Sequence, residues 1–69
     1  MRVNEILSRV EDKEVVVLHL GGYGILDYKH TIMKDSFYKD NHVGDWFVTN
    51  IGVQEMNKIL VLAVTACRP

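Results

Sequence analysis

Apolar residues recur along this chain with two different spacings, and the change of spacing separates a helix from the strands that follow. Near the N-terminus they are spaced at i, i+3, i+4 and i+7, which places them on one side of an α-helix. These residues are Val3, Ile6, Leu7 and Val10. The charged run at 11–14 comes next and predicts a solvated turn. The pattern therefore predicts one short helix at the start of the chain.

Three later segments have the apolar or alternating character of strands. Residues 15–20 form a compact apolar run, and the Gly-Gly-Tyr-Gly sequence after it predicts a hairpin turn. Residues 25–34 alternate between apolar and polar side chains, which is typical of a strand with one face toward water. Residues 46–53 resume the character of a strand, which would place residues 47, 49, 51 and 53 on one face and residues 46, 48 and 50 on the other. We expect an irregular connection at 35–45, and a turn at 54–57 that leads into the last strand.

The last apolar segment, residues 58–67, organises the predicted fold. Eight of its ten side chains are apolar, and neither glycine nor proline interrupts it, as in a strand whose two faces are both covered. Such a strand belongs in the middle of a sheet. We therefore predict an α+β fold in which one short N-terminal helix packs on a four-stranded, mostly antiparallel sheet, with residues 1–69 forming a single domain.

The predicted helix is small relative to the sheet that it must cover. Eight helical residues extend about 12 Å, whereas four strands about 4.8 Å apart and about 20 Å long present a much larger face. Large exposed apolar patches usually mark interfaces. A chain of 69 residues with a single cysteine also has no internal disulfide to stabilise it. We therefore expect a homo-oligomer, most simply a symmetric dimer that packs sheet faces or pairs edge strands.

Composition and charge narrow the classes of partner. A hydrophobic content of 48% with one proline indicates a folded chain. A net charge of −1 argues against nucleic acid as a partner, because such binders present a basic face. The N-terminus lacks the apolar core of a signal peptide, and no apolar run reaches the roughly 20 residues that span a bilayer. We therefore expect a cytoplasmic protein with no membrane partner.

No group of residues has the spacing of a catalytic or metal-binding motif. The three histidines and Cys67 show no ligand spacing, and no serine stands in a nucleophile motif. The glycine-rich turn precedes a predicted strand, whereas a phosphate loop precedes a helix. We therefore expect no enzymatic activity, no metal site and no cofactor.

Aromatic and basic residues are interleaved in the middle of the chain, and they are compatible with two kinds of binding site. A protein-contact surface would use the 35–45 loop and nearby aromatic residues: Tyr23, Phe37, Tyr38, Lys39, His42 and Trp46. A nucleotide or other anionic ligand, held at a subunit interface, would need basic groups beside stackable rings: Tyr28, Lys29, Lys34, Tyr38 and Lys39. A third alternative is purely structural, with Phe37 closing an edge of the core. The sequence leaves all three alternatives open.

The two ends of the chain carry a resemblance to a group of known proteins. The segment Val-Asn-Glu-Ile-Leu-Ser-Arg-Val at 3–10 and the segment Asn-Lys-Ile-Leu-Val-Leu-Ala-Val at 57–64 resemble small uncharacterised accessory proteins of phages and integrated elements of Gram-positive bacteria. The resemblance implies a non-catalytic accessory or anti-defence role. In one version the protein binds and inhibits a host protein, for example a nuclease defence complex. In the other version it sequesters a nucleotide signal.

Overall fold

The computed structural model describes residues 1–69 and contains three short α-helices, one 3-10 helix and four strands. In chain order they are α1 Val3–Leu7, β1 Val16–Leu20, β2 Gly24–Asp27, α2 Lys29–Lys34, α3 Ser36–Asp40, the 3-10 helix Val43–Asp45, β3 Phe47–Met56 and β4 Ile59–Cys67. The predicted α+β class, with a short N-terminal helix and a four-stranded sheet, is confirmed. No helix has the length and apolar character that a membrane crossing requires.

The strands are arranged in the order β2-β1-β4-β3. The pairs β1–β2 and β3–β4 are antiparallel and the pair β1–β4 is parallel, so the sheet is mostly antiparallel, as predicted. Strand β4 lies between β1 and β3, which confirms the central place expected from its apolar sequence. Because β1 and β4 run in the same direction, their carboxyl ends meet at the same end of the sheet.

One face of the sheet carries the helices and the core. Alternate residues of β1 point toward the helices, because successive side chains of a strand point to opposite faces. The core consists of eleven buried side chains: Val3, Leu7, Val16, Leu18, Leu20, Ile32, Tyr38, Val43, Trp46, Val64 and Ala66. No buried side-chain nitrogen or oxygen atom lacks a hydrogen-bond partner. This apolar layer fixes the positions of α1, α2 and α3 on the sheet.

The strand predicted at 25–34 is confirmed only for residues 25–27, and the irregular connection predicted at 35–45 was wrong, because α2, α3 and the 3-10 helix follow β2. Strand β2 ends at Asp27, because Tyr28 has a φ of +69° and α2 begins at the next residue. Asp35 then caps α3, since its carboxylate accepts a hydrogen bond from the Tyr38 amide at 3.1 Å. Helix α2 buries only Ile32 against the core, and so short a helix leaves little periodic signal in the sequence.

The β3–β4 hairpin is longer than predicted, because only Asn57 and Lys58 form its turn. Their φ angles of +51° and +67° are those of a two-residue type I′ turn, whose twist matches that of the strands. Strand β3 therefore extends to Met56 instead of ending at residue 53.

A β-bulge lies between Val48 and Asn50 and changes the alternation that the sequence suggested. The extra residue, Thr49, opposes no single residue of β4. Val48 and Ile51 therefore lie on the helix side of the sheet, opposite Ala66 and Val64. The predicted grouping of residues 47, 49, 51 and 53 on one face was wrong for this reason.

The face without helices is partly covered by its own side chains. His19 Nε2 and Gln54 Oε1 are hydrogen-bonded at 2.9 Å and so connect β1 to β3 across β4. Val17 and Val61 are buried on this face. His19 is therefore a hydrogen-bonded structural residue of the sheet.

Candidate functional site

Three aromatic rings from distant parts of the sequence meet at one end of the sheet. Tyr23 lies in the turn after β1, Phe37 in α3, and Trp46 just before β3. The Tyr23 and Phe37 ring centroids are 5.1 Å apart, and each lies 6.1 Å from the Trp46 centroid. Both contacts with Trp46 are edge-on, a favourable arrangement for aromatic rings. The structure therefore brings together three of the six residues predicted for protein contact.

Arg68 completes this cluster. Its Cζ atom lies 4.9 Å from the Tyr23 ring centroid and 5.5 Å from that of Trp46, within the range of cation–π attraction. Its Nη2 donates a hydrogen bond to Asn41 Oδ1 at 3.0 Å, which fixes the guanidinium group in place. We call Tyr23, Phe37, Trp46 and Arg68 the aromatic–arginine surface.

Sequence reasoning missed Arg68, because it lies directly after the last strand and far from the rings along the chain. The parallel pairing of β1 and β4 brings Arg68 to the same end of the sheet as the three rings. Leu20 pairs with Ala66, and the Gly21 amide donates to the Ala66 carbonyl at 3.2 Å. The chain after β4 therefore lies beside the turn that carries Tyr23. Had the two most apolar strands been assumed parallel, the sequence could have indicated this neighbour.

The four side chains differ in exposure, and the difference separates their roles. Tyr23 is 53% exposed, Phe37 is half-buried and Arg68 is exposed. Trp46 is only 2% exposed, and its Nε1 donates a hydrogen bond to the Asn41 carbonyl at 3.1 Å. The prediction of Trp46 as a surface contact is corrected here: it is the buried base on which the exposed groups rest.

A depression of about 500 Å³ adjoins the surface. Apart from Trp46 and Pro69, the residues that line it are polar or charged: Asp40, Asn41, His42, Asp45, Trp46, Arg68 and Pro69. His42 has a φ of +51°, is exposed, and begins the turn into the 3-10 helix. His42 thus lies in the lining of this depression, whereas Lys39 is an exposed residue of α3 outside that lining.

Tyr38 is a core residue, which corrects its prediction as a contact or ligand residue. Only 7% of it is exposed. Burial raises the pKa of its phenol above the usual value of 10.0, and the nearby Asp45 carboxylate raises the pKa further. Helix α3 turns Tyr38 inward and Lys39 outward, a distinction that depended on recognising the helix.

The residues predicted for an anionic ligand have different surroundings within one copy of the chain. Lys29 Nζ donates to the Val10 carbonyl and forms a 3.4 Å ion pair with Asp12 Oδ1, so its charge connects α2 to the turn after α1. Lys34 Nζ and His30 Nε2 lie 3.0 Å apart on another part of α2. Tyr28 is exposed at the start of α2, whereas Tyr38 is buried. Of these residues Tyr38 is therefore unavailable to a ligand, whereas Tyr28 and Lys34 are accessible.

A second surface, which no predicted site residue marks, lies on the β3–β4 hairpin. Large apolar side chains are exposed toward its far end: Ile51, Val53, Ile59 and Leu60. Strand β3 is an edge of the sheet. Apart from residues 1–3, which pair with its first part, no strand lies along its outer side. The small helix α1 does not reach this part of the sheet.

No group of three or more His, Cys, Asp or Glu side chains lies together in a way that could hold a metal ion. The chain matches no protein-family model, no curated protein and no solved structure among those with which it was compared. The function is therefore inferred from the geometry of the two surfaces.

Proposed function

We propose that this chain is a non-catalytic accessory protein that binds a partner protein through the aromatic–arginine surface. The main support is the position of Arg68, whose guanidinium group is held over the exposed ring of Tyr23 and the buried ring of Trp46. Tyrosine, tryptophan and arginine are the residues that most often dominate the binding free energy of protein interfaces. Here they are clustered and already ordered, which lowers the entropy lost on binding.

The charges of the surface indicate the chemistry of the partner. A guanidinium group that stacks on rings still has N–H groups directed elsewhere, and these bind carboxylates in a bidentate manner. Only one hydrogen bond, to Asn41, occupies Arg68 in this structure. We therefore propose a partner segment that places a carboxylate on Arg68 and an apolar side chain against Tyr23 and Phe37.

The biological role that we propose follows from the resemblance at 3–10 and 57–64. It is that of an accessory or anti-defence protein of a mobile element, which inhibits a host protein by covering part of its surface. A nuclease defence complex is one such target. We also propose a cytoplasmic location, since the exposed and unpaired thiol of Cys67 suits a reducing compartment.

The proposal is tested by a quantitative pull-down from host lysate with wild-type protein and three single variants. We expect Arg68→Ala and Tyr23→Ala each to weaken capture of the wild-type partner at least about tenfold, as loss of a hot-spot residue does. Arg9→Ala is the matched control, because Arg9 is an exposed arginine in the connection after α1, where it lines a pocket with Val16 at the start of β1 and not at the end of the sheet that carries Tyr23. Circular dichroism would confirm that all variants are folded. Unchanged capture by Arg68→Ala would refute this surface assignment.

We further propose that the protein forms a homodimer. The support is the uncovered edge of β3 together with the exposed apolar side chains of the hairpin. Native mass spectrometry tests this directly, and a monomer at high micromolar concentration would contradict it.

A further inference from the structure

The outer edge of β3 has main-chain groups whose directions follow from the hairpin turn. Met56 and Ile59 flank the two-residue turn, so they form a hydrogen-bonded pair. In an antiparallel ladder such pairs alternate with pairs whose N–H and C=O groups point away from each other. Ile51, Val53 and Glu55 are the outward-pointing residues of β3. Their three amides and three carbonyls form a row along the open edge.

The N-terminal segment limits this row at one end. The Val3 amide donates to the Trp46 carbonyl at 3.0 Å, and the Val48 amide donates to the Met1 carbonyl at 2.8 Å. Residues 1–3 therefore pair with the first part of β3, and Arg2 forms a bridge to Phe47. The bulge at Thr49 follows immediately, so the free and regular part of the edge is residues 50–56.

Apart from the bulge that precedes it, this part has none of the usual protections of an edge strand. Natural edge strands are blunted by proline, by lysine or by charges that point inward. Residues 50–56 contain no proline or lysine and a single charged residue, Glu55. Val53, at the centre of the segment, is 72% exposed.

We infer that a second copy of this chain occupies the edge, and that the two β3 strands pair antiparallel about a two-fold axis at Val53. The inference rests on the proposed homodimer and specifies its register. In this arrangement Val53 lies opposite Val53 of the other copy, and Ile51 lies opposite Glu55. The four strands of each copy then form one continuous sheet.

The main-chain groups and the N-terminal segment favour this register over its neighbours. With the axis at Val53, all the outward N–H and C=O groups of residues 51, 53 and 55 find partners, and the paired region ends where residues 1–3 begin. An axis at Gly52 would place Glu55 opposite the bulge at Thr49 and would bring Met56 against residues 1–3. Unpaired main-chain groups at an interface cost free energy, so the axis at Val53 is preferred.

Single cysteines test the register in a Cys67→Ser background. Facing residues of a hydrogen-bonded pair have Cα atoms about 5.5 Å apart, a distance that a disulfide spans. We expect Val53→Cys to form a covalent dimer under mild oxidation. Gly52→Cys is the matched control, because its added side chain meets only Asn50 Nδ2 at 4.0 Å and should fold. In this register its two copies are separated by about 8 Å, too far for a disulfide.

Native mass spectrometry of uncrosslinked variants tests the surface itself. We expect Val53→Asp to convert the dimer to a monomer, because two carboxylates would face each other at the axis. Ile25→Asp is the matched control, since Ile25 is an exposed apolar residue on β2, the opposite edge of the sheet. The Ile25→Asp variant should remain a dimer, and so should the Arg68→Ala variant.

The outcomes separate the inference from the proposals on which it rests. A dimer that crosslinks through Gly52→Cys and not through Val53→Cys would overturn the register alone. A dimer that survives Val53→Asp would place the interface elsewhere. A wild-type monomer would overturn both the dimer and its register. None of these results bears on capture of a partner at the aromatic–arginine surface.

Discussion

The aromatic–arginine surface and the open edge of β3 present different chemical groups. At the first, side chains from separate segments contact one another and are fixed by the hydrogen bonds that Trp46 and Arg68 donate to Asn41. At the second, main-chain groups point outward beside exposed apolar side chains. A surface of side chains selects a partner by shape and charge, whereas a strand edge pairs with any strand that fits its register. The first therefore suits a foreign protein, and the second suits a second copy.

The largest effect that we predict contrasts the centre of the sheet with this edge. Val64 and Val53 lie on the same side of the sheet, but Val64 is 1% exposed. Val64→Asp buries an unpaired charge and should cost several kcal/mol, enough to unfold a small domain. Val53→Asp should change the free energy of unfolding of the monomer by no more than about 0.5 kcal/mol. Urea denaturation followed by circular dichroism at low protein concentration measures both. A folded Val64→Asp variant would show that β4 is not the centre of the core.

A second contrast divides the aromatic–arginine surface into its base and its exposed part. Trp46→Ala should lower the free energy of unfolding by about 3–5 kcal/mol, since it removes a large buried side chain. Arg68→Ala should lower it by less than about 1 kcal/mol, since an exposed cation–π contact contributes little. Thermal denaturation distinguishes the two variants. If both lost equal stability, Arg68 would be a structural residue and its proposed role in binding would weaken.

A smaller effect is expected at the hairpin tip. Lys58 has a φ of +67°, which strains a residue with a side chain and suits glycine. Lys58→Gly creates the Asn-Gly sequence preferred in type I′ turns and should raise the free energy of unfolding by about 0.5–1 kcal/mol. Lys58→Ala is the control, because it removes the charge and keeps Cβ. A gain in both variants would assign the effect to the charge.

The smallest effect at neutral pH concerns the buried phenol of Tyr38. Its folded-state pKa is raised above 10.0, so the folded protein holds this proton more tightly than the unfolded chain does. This pKa difference contributes fully to the stability of the fold at pH values below the pKa of the unfolded state. The contribution is lost as the pH rises through the pKa of the folded state. The free energy of unfolding of Tyr38→Phe should therefore be close to that of wild type at about pH 8. Between about pH 8 and about pH 11 it should fall by less than that of wild type. Urea denaturation at the two pH values measures this, and parallel losses would contradict the burial of Tyr38.

The sequence predicted the parts of the fold that local pattern determines. The stripe from Val3 to Val10 indicated α1, and the uninterrupted apolar run of β4 indicated a central strand, because both patterns are strong and specific to one period. The prediction failed at 28–45, where the end of a strand and an irregular connection were expected. There α2 and α3 have six residues and five residues, and each buries a single residue of the core. Helices of that length are stabilised by tertiary packing, which leaves almost no periodic signal.

The candidate site was predicted only in part. Its aromatic members were identified as candidates for protein contact, but Trp46 is buried, and Arg68, which lies over the rings of Tyr23 and Trp46, was missed. The sequence alone determined the α+β class, the central position of β4 and the absence of proline and lysine from β3. Only the tertiary structure decided which residues meet. The parallel pairing of β1 and β4 brought Arg68 to Tyr23, and the pairing of residues 1–3 with β3 set the length of the open edge. Both depend on contacts between residues far apart in the chain, which no local pattern encodes.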